Sequence, residues 1–171
     1  MGLRVLIAED DADMAKMYRI ALEAKHHKVV ITGDGEECVR VYKAELDKLG
    51  GKPSKYEPFD VTVLDYRMPK MDGLEAAKKI LAMNKAQRLV FASAYVKETL
   101  RDSVKELDQV VELIQKPFEP KILVELLENT AVVKELEDIN RMLADMNGTK
   151  SDEQQINELL NVLKRIQKVG F

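Results

Sequence analysis

Asp60-Val61-Thr62-Val63-Leu64-Asp65-Tyr66-Arg67-Met68-Pro69-Lys70-Met71-Asp72-Gly73 is the stretch that decides the fold. It opens on a β-branched run that predicts a strand over 60–64, with Asp65 standing at its carboxyl end. Leu74, Ala77, Ile80 and Leu81 then recur at helical spacing. Working outward, further strands are predicted over 3–8, 28–32, 88–92 and 110–114. Between them, Met14/Met17/Tyr18/Ala21, Val39/Tyr42/Leu46/Leu49 and Val96/Leu100/Val104/Leu107 mark helices. Five strands alternating with helices predict an α/β fold, a doubly wound five-stranded parallel sheet covered on both faces. The unbroken apolar runs Val5-Leu6-Ile7 and Leu89-Val90-Phe91 suit strands buried on both sides.

The 171 residues, 46% hydrophobic and 33% charged, suit one globular domain with an appendage. No window approaches the roughly 18 apolar residues of a membrane span, and no signal-peptide pattern precedes Arg4. Cys38 is the only cysteine and reads as a small core residue. These features place the chain in the cytoplasm. The net charge is −3, and residues 119–171, with ten acidic and seven basic side chains, supply the whole excess. A segment that docked on nucleic acid would be basic, so DNA binding by the C-terminal helices is the least favoured output.

Two regions are irregular or different in kind. Residues 50–58 hold two glycines and two prolines, and are expected as a loop that stops the second helix. After Pro117 the alternation ends. Residues 121–146 are expected as one long helix, with Val132, Leu136, Ile139, Leu143 and Met146 stepping by four and three. Asn147-Gly148 reads as a helix stop, and Ser151 with Gln154 as a capping box opening a last helix along Ile156, Leu159, Leu163 and Ile166. The expected division is a first domain over 1–128 and a helical extension of two helices over 129–171. His26 and His27 are expected as solvent-exposed turn residues, and the extension holds no histidine.

In an open α/β sheet, ligands bind outside the carboxyl ends of the strands. Strand one ends in Glu9-Asp10-Asp11, strand three in Asp65, strand four in Ser93, and strand five in Lys116-Pro117, expected as a cis bond. Crowded carboxylates raise one another's pKa unless a cation neutralises them. An all-oxygen set suits a hard ion such as Mg2+ (or Mn2+), which also binds phosphate. With the repulsion screened, one carboxylate could attack phosphorus, while Lys116 and Ser93 hold the phosphoryl oxygens.

Val5-Leu-Ile-Ala-Glu-Asp-Asp11, the Asp60–Gly73 stretch, Leu89-Val-Phe-Ala-Ser-Ala94 and Ile114-Gln-Lys-Pro-Phe118 together resemble the receiver domain of two-component response regulators, over roughly residues 3–127. The resemblance implies the flavodoxin-like receiver fold and a phosphoacceptor that catalyses its own phosphorylation. It implies Asp65 as the phosphoacceptor, with Ser93 as the switch hydroxyl and Lys116 as the family's lysine. Asp10, Asp65 and the backbone carbonyl of Arg67 would bind Mg2+, and Glu9 would act through a metal-bound water. The implied donor is a histidine kinase or a histidine phosphotransfer protein.

The sequence departs from the family pattern in four places. Leu113 stands where many members carry a switching Tyr or Phe, the 50–58 loop looks long, and Arg67 and Tyr95 are bulky. The last two are expected to shield the acyl phosphate from water. The implied output is contact with a downstream protein, with the C-terminal helices as a dimerising hairpin or docking element. Onward relay of the phosphate is the alternative. A haloacid-dehalogenase-like phosphatase is the rival enzyme; its Asp-x-Asp pair follows the first strand, whereas here Asp65 is followed by Tyr66-Arg67.

Overall fold

The computed structural model describes residues 2–50, 57–145 and 153–171. The elements are β1 (Arg4–Ala8), α1 (Ala12–Glu23), β2 (Lys28–Thr32), α2 (Gly35–Lys48), β3 (Val61–Asp65), α3 (Gly73–Met83), β4 (Leu89–Ser93), α4 (Val96–Leu107), β5 (Glu112–Gln115), α5 (Pro120–Glu128), α6 (Ala131–Asp145) and α7 (Glu153–Gln167). The strands form one five-stranded sheet in the order β2-β1-β3-β4-β5, and β1 runs parallel to both its neighbours. The expected doubly wound parallel fold is therefore present, with α6 and α7 beyond it. By compactness the chain divides into two units, Met1–Val90 and Phe91–Phe171.

In the first unit, Val5 to Ala8 and all of β3 are buried, as their apolar runs require. Asp11, Asp34 and Asp72 each cap the helix that follows, accepting hydrogen bonds from backbone N–H groups of the first turn. Such caps leave fewer helix N–H groups unsatisfied and favour the dipole, so each helix starts where its aspartate stands. The buried stripes are Ala15/Tyr18/Leu22 on α1 and Cys38/Tyr42/Leu46 on α2. Met17 (47% exposed) and Leu49 face outward, contrary to the sequence pattern. His27 is also a correction: it is buried, and its Nδ1 accepts from Leu3 N at 2.9 Å. Only His26 is an exposed turn residue, with a positive φ of 66°.

The second unit begins at Phe91, within β4, and runs through α7 to Phe171. The single long helix expected over 121–146 is two helices, α5 and α6, separated at Asn129-Thr130. The break has a local use, because Asn129 Nδ2 donates to the last carbonyls of α7, Ile166 O at 3.4 Å and Gln167 O at 3.3 Å. The seams of α6 and α7 are covered by the chain itself: Val132, Ile156, Leu163 and Ile166 are buried, and Leu136, Ile139, Leu143 and Leu159 half-buried. Met146, Asn147-Gly148, Ser151 and most of the 50–58 loop lie outside the described residues.

Beside β5, two carboxamides do the work of a missing neighbour strand. Gln167 Nε2 donates to Leu113 O at 2.7 Å while its Oε1 accepts from Leu113 N at 2.9 Å. Asn140 does the same for Val110, two residues before β5, accepting from its N at 2.6 Å and donating to its O at 3.0 Å. Gln115 N adds a bond to Gly170 O at 2.6 Å. An edge strand with bare N–H and C=O groups invites pairing with other chains, and these contacts cover it.

Candidate functional site

The order β2-β1-β3 means the chain reverses direction of winding between β1 and β3, and the crevice at such a switch point is where open α/β sheets bind ligands. Glu9 and Asp10 follow β1 directly, and Asp65 is the last residue of β3. One carboxylate oxygen from each lies within 4.8 Å of the other two. Glu9 and Asp65 are buried, at 4% and 8% exposure, while Asp10 is exposed. The donor set fits a hard divalent cation: three carboxylates, all oxygen, close enough to share one ion and open to solvent on one side. Glu9 also accepts from the backbone N of Asp11 at 3.1 Å, which fixes its carboxylate at the start of α1.

Gly73 shows how tightly the turn after β3 is built. A Cβ there would stand 2.4 Å from Asp65 O and 3.0 Å from Tyr66 Cα, both backbone atoms that cannot swing aside. Gly73 N in turn donates to Tyr66 O at 3.0 Å. The Asp-Gly pair of the motif therefore does two jobs: Asp72 caps α3, and Gly73 lets α3 begin against the strand end that carries Asp65. Lys70 takes a positive φ of 66° in this turn and reaches Asp34 Oδ2 at 3.6 Å.

Tyr18 is a site neighbour that the sequence pattern reads only as a core position. Its phenol is buried, and burial first, then the charges of Glu9, Asp65 and Asp11, push its pKa up. The phenol is thus kept neutral beside three carboxylates. Helical spacing identified its burial, but nothing local in the sequence places it near residues 9 and 65. An open groove of ≈ 400 Å³ runs from Glu9 and Asp10 along α1, past Lys16 and Arg19.

Ser93 and Lys116 belong to the second unit, where Lys116 N donates to Ser93 O at 2.9 Å, setting the ends of β4 and β5 side by side. The Lys116-Pro117 bond is cis, as expected. Arg67 follows β3 with an exposed side chain, and Tyr95 is 63% exposed.

The family description "Response regulator receiver domain" matches residues 5–128. The chemotaxis protein CheY of Thermotoga maritima is 32% identical over 133 residues, covering 74% of this chain and 96% of the relative. The alkaline phosphatase synthesis transcriptional regulatory protein PhoP of Bacillus subtilis is 28% identical over 171 residues. That alignment takes in 96% of this chain but only 60% of PhoP, so the chain spans little more than half of that relative. Among solved structures, a CheY-like receiver domain protein from Methanospirillum hungatei superposes with a TM-score of 0.61 at 22% identity, covering 81% of this chain and 98% of its own. A receiver domain of a Pseudomonas aeruginosa sensor histidine kinase, described with a magnesium ion coordinated in its active site cleft, gives 0.57 at 20% identity, covering 75% and 96%. Receiver domains accept phosphoryl groups and bind Mg2+ at an acidic pocket, which is where this chain gathers Glu9, Asp10 and Asp65. The chain belongs to the response regulator receiver domain family of two-component systems.

Proposed function

We propose that this chain accepts a phosphoryl group on Asp65 from a phosphohistidine and uses the new charge to change its protein contacts. The observation that carries the reading is the convergence of three carboxylates at the sheet's switch point. Asp10, Asp65 and the backbone carbonyl of Arg67 would hold Mg2+ (or Mn2+), with Glu9 acting through a bound water. When bound, the ion supplies positive charge that offsets repulsion between the carboxylates and the phosphoryl oxygens. An Asp65 oxygen forms the new bond to phosphorus as the P–N bond breaks, and the imidazole leaves with the electron pair. Ser93 and Lys116 then receive the phosphoryl oxygens, as hydroxyl and ammonium donors. On this reading the chain is a phosphoacceptor in its own right, not a multiple-turnover enzyme.

The donor is a histidine kinase or histidine phosphotransfer protein, and both molecules are cytoplasmic. The groove along α1 supports a docking route to the carboxylates, with exposed Met17 and Ile20 on the same helix as apolar contacts. Residues 1–128 form the receiver and 129–171 the extension. The output is a contact with a downstream protein, in which the extension either pairs with a second copy or docks the partner. Burial of Ile156, Leu163 and Ile166 on the chain itself supports the second reading, an onward phosphorelay whose extension only caps the domain. Mass measurement with and without beryllofluoride separates them: a dimer on phosphate mimicry supports the first, an unchanged monomer the second.

Radiolabelled acetyl phosphate tests the reading itself. The wild type should take up hydroxylamine-labile label in Mg2+, and lose that uptake with a chelator or with Asp65→Asn. Equal labelling of Asp65→Asn would refute it.

A further inference from the structure

The Ser93 hydroxyl is buried and engaged. It accepts from Tyr95 N at 3.0 Å, and Thr99 Oγ1, fully buried on α4, lies 2.8 Å away. Thr99 Oγ1 also lies 2.9 Å from Tyr95 O, one turn back. A hydroxyl carries one proton, so Thr99 cannot donate to both. If it donates to Tyr95 O, the common back-bond of a helical threonine, the 2.8 Å contact is carried by the Ser93 proton. If it donates to Ser93 instead, the Ser93 oxygen accepts two bonds. Either way α4 holds the serine hydroxyl in place.

The cluster also builds the first turn of α4. That helix has no side-chain cap at Tyr95, and Thr99 N donates to Tyr95 O at 3.0 Å. Ser93, Tyr95 and Thr99 therefore close the helix start between them. The same turn carries Lys97, which is ion-paired with Glu153 at the start of α7.

We propose that Thr99 is a positioning residue that holds the Ser93 hydroxyl in its resting orientation, so that turning the hydroxyl toward a phosphoryl group breaks the Ser93–Thr99 bond. The inference rests on the reading of Ser93 as the hydroxyl that meets the phosphoryl group. It makes the opening of that bond part of the switch, and loosens the α4 turn that carries Lys97 at the same step. A ligand shifts a two-state balance only by its differential contacts, and here the resting state owns a contact that the phosphorylated state gives up.

Beryllofluoride titration of the full chain, in the Ser93 and Ser93→Ala backgrounds, tests this. Thr99→Val keeps shape and deletes the hydroxyl, so it should lower the half-saturating concentration about fivefold, the worth of one ordinary hydrogen bond. Thr99→Ser should restore the wild-type value, and the Thr99→Val effect should vanish in Ser93→Ala. If Thr99→Val fails to fold, side-chain couplings of Ser93 in the wild type decide: one rotamer in the free protein and another with beryllofluoride support the proposal, and one unchanged rotamer overturns it. An indifferent Thr99→Val, or an effect that survives Ser93→Ala, overturns the inference alone. Failure of the wild type to label on Asp65 overturns the site reading and the inference together.

Discussion

Gln167 offers a sharp test of what the C-terminal helices do for the fold. Its side chain is 1% exposed and makes paired bonds of 2.7 and 2.9 Å to the two backbone groups of Leu113. Gln167→Ala removes both bonds and strands a buried N–H and a buried C=O. Each stranded group costs about 1–3 kcal/mol, so the variant should lose about 2–6 kcal/mol, the lower end applying if water enters the gap. For a chain of this length that is a fall in Tm of roughly 5–15 °C. Gln167→Glu gives the test its sign. A carboxylate still accepts from Leu113 N but faces Leu113 O with no proton, whereas a protonated carboxyl restores the donor. The folded state therefore raises the introduced carboxyl's pKa above its unfolded value, about 4.3. The variant's stability is then fully present below that value and is lost as pH rises through the folded pKa. Urea denaturation followed by circular dichroism, read as the difference from wild type, should show near-equality at pH 4 and a deficit of several kcal/mol at pH 8. A Gln167→Ala variant within about 0.5 kcal/mol of wild type, or a Gln167→Glu deficit indifferent to pH, would refute the reasoning.

Further predictions concern Cys38, Gly73, Tyr42 and the Arg67/Tyr95 pair. Burial pushes the Cys38 thiol from an ordinary 9.0 up to about 12. Native protein should therefore resist thiol reagents at pH 8, and the stability of wild type relative to Cys38→Ala should be whole below pH 9 and fall as pH rises from there to about 12. Gly73→Ala forces backbone movement where Asp65 sits, so it should destabilise by about 1–3 kcal/mol and weaken Mg2+ binding measured by titration calorimetry; normal binding would count against the close approach as a determinant of the site. Tyr42 OH donates to Gln87 Oε1 at 2.6 Å and accepts from Asn84 Nδ2 at 3.1 Å, all buried, so Tyr42→Phe should lose about 1–3 kcal/mol by chemical denaturation. Arg67→Ala combined with Tyr95→Ala should speed loss of phosphate from labelled protein if these exposed side chains cover the acyl phosphate in its phosphorylated state; unchanged loss removes that role.

Most of the receiver's elements can be read from the sequence because their causes are local. β-branched runs make strands, aspartates start helices, and each strand end is covalently followed by its functional group. The helix stripes were less exact. On α1 the apolar Met17 is outside and Ala15 inside, because spacing defines a stripe only to within a residue and small residues pack as well as large ones against a sheet. His27 looked like a turn residue because its neighbour is one, yet its ring takes the N–H of Leu3, twenty-four positions away.

Sequence alone determined the order of the strands and helices, the parallel sheet, and the acids that meet at the switch point, since propensity, turn chemistry and the handedness of crossovers act over short stretches of chain. Only the tertiary structure decided what covers α6 and α7, why the helix breaks after α5, and that Gln167 finishes the edge of β5 while Asn140 ties down the segment before it. A heptad-like seam specifies a face that must be buried but not the surface that buries it. A carboxamide that serves a backbone 54 residues away leaves no local trace of its partner. Those choices are settled by which surfaces meet once the sheet exists, a property of the folded chain as a whole.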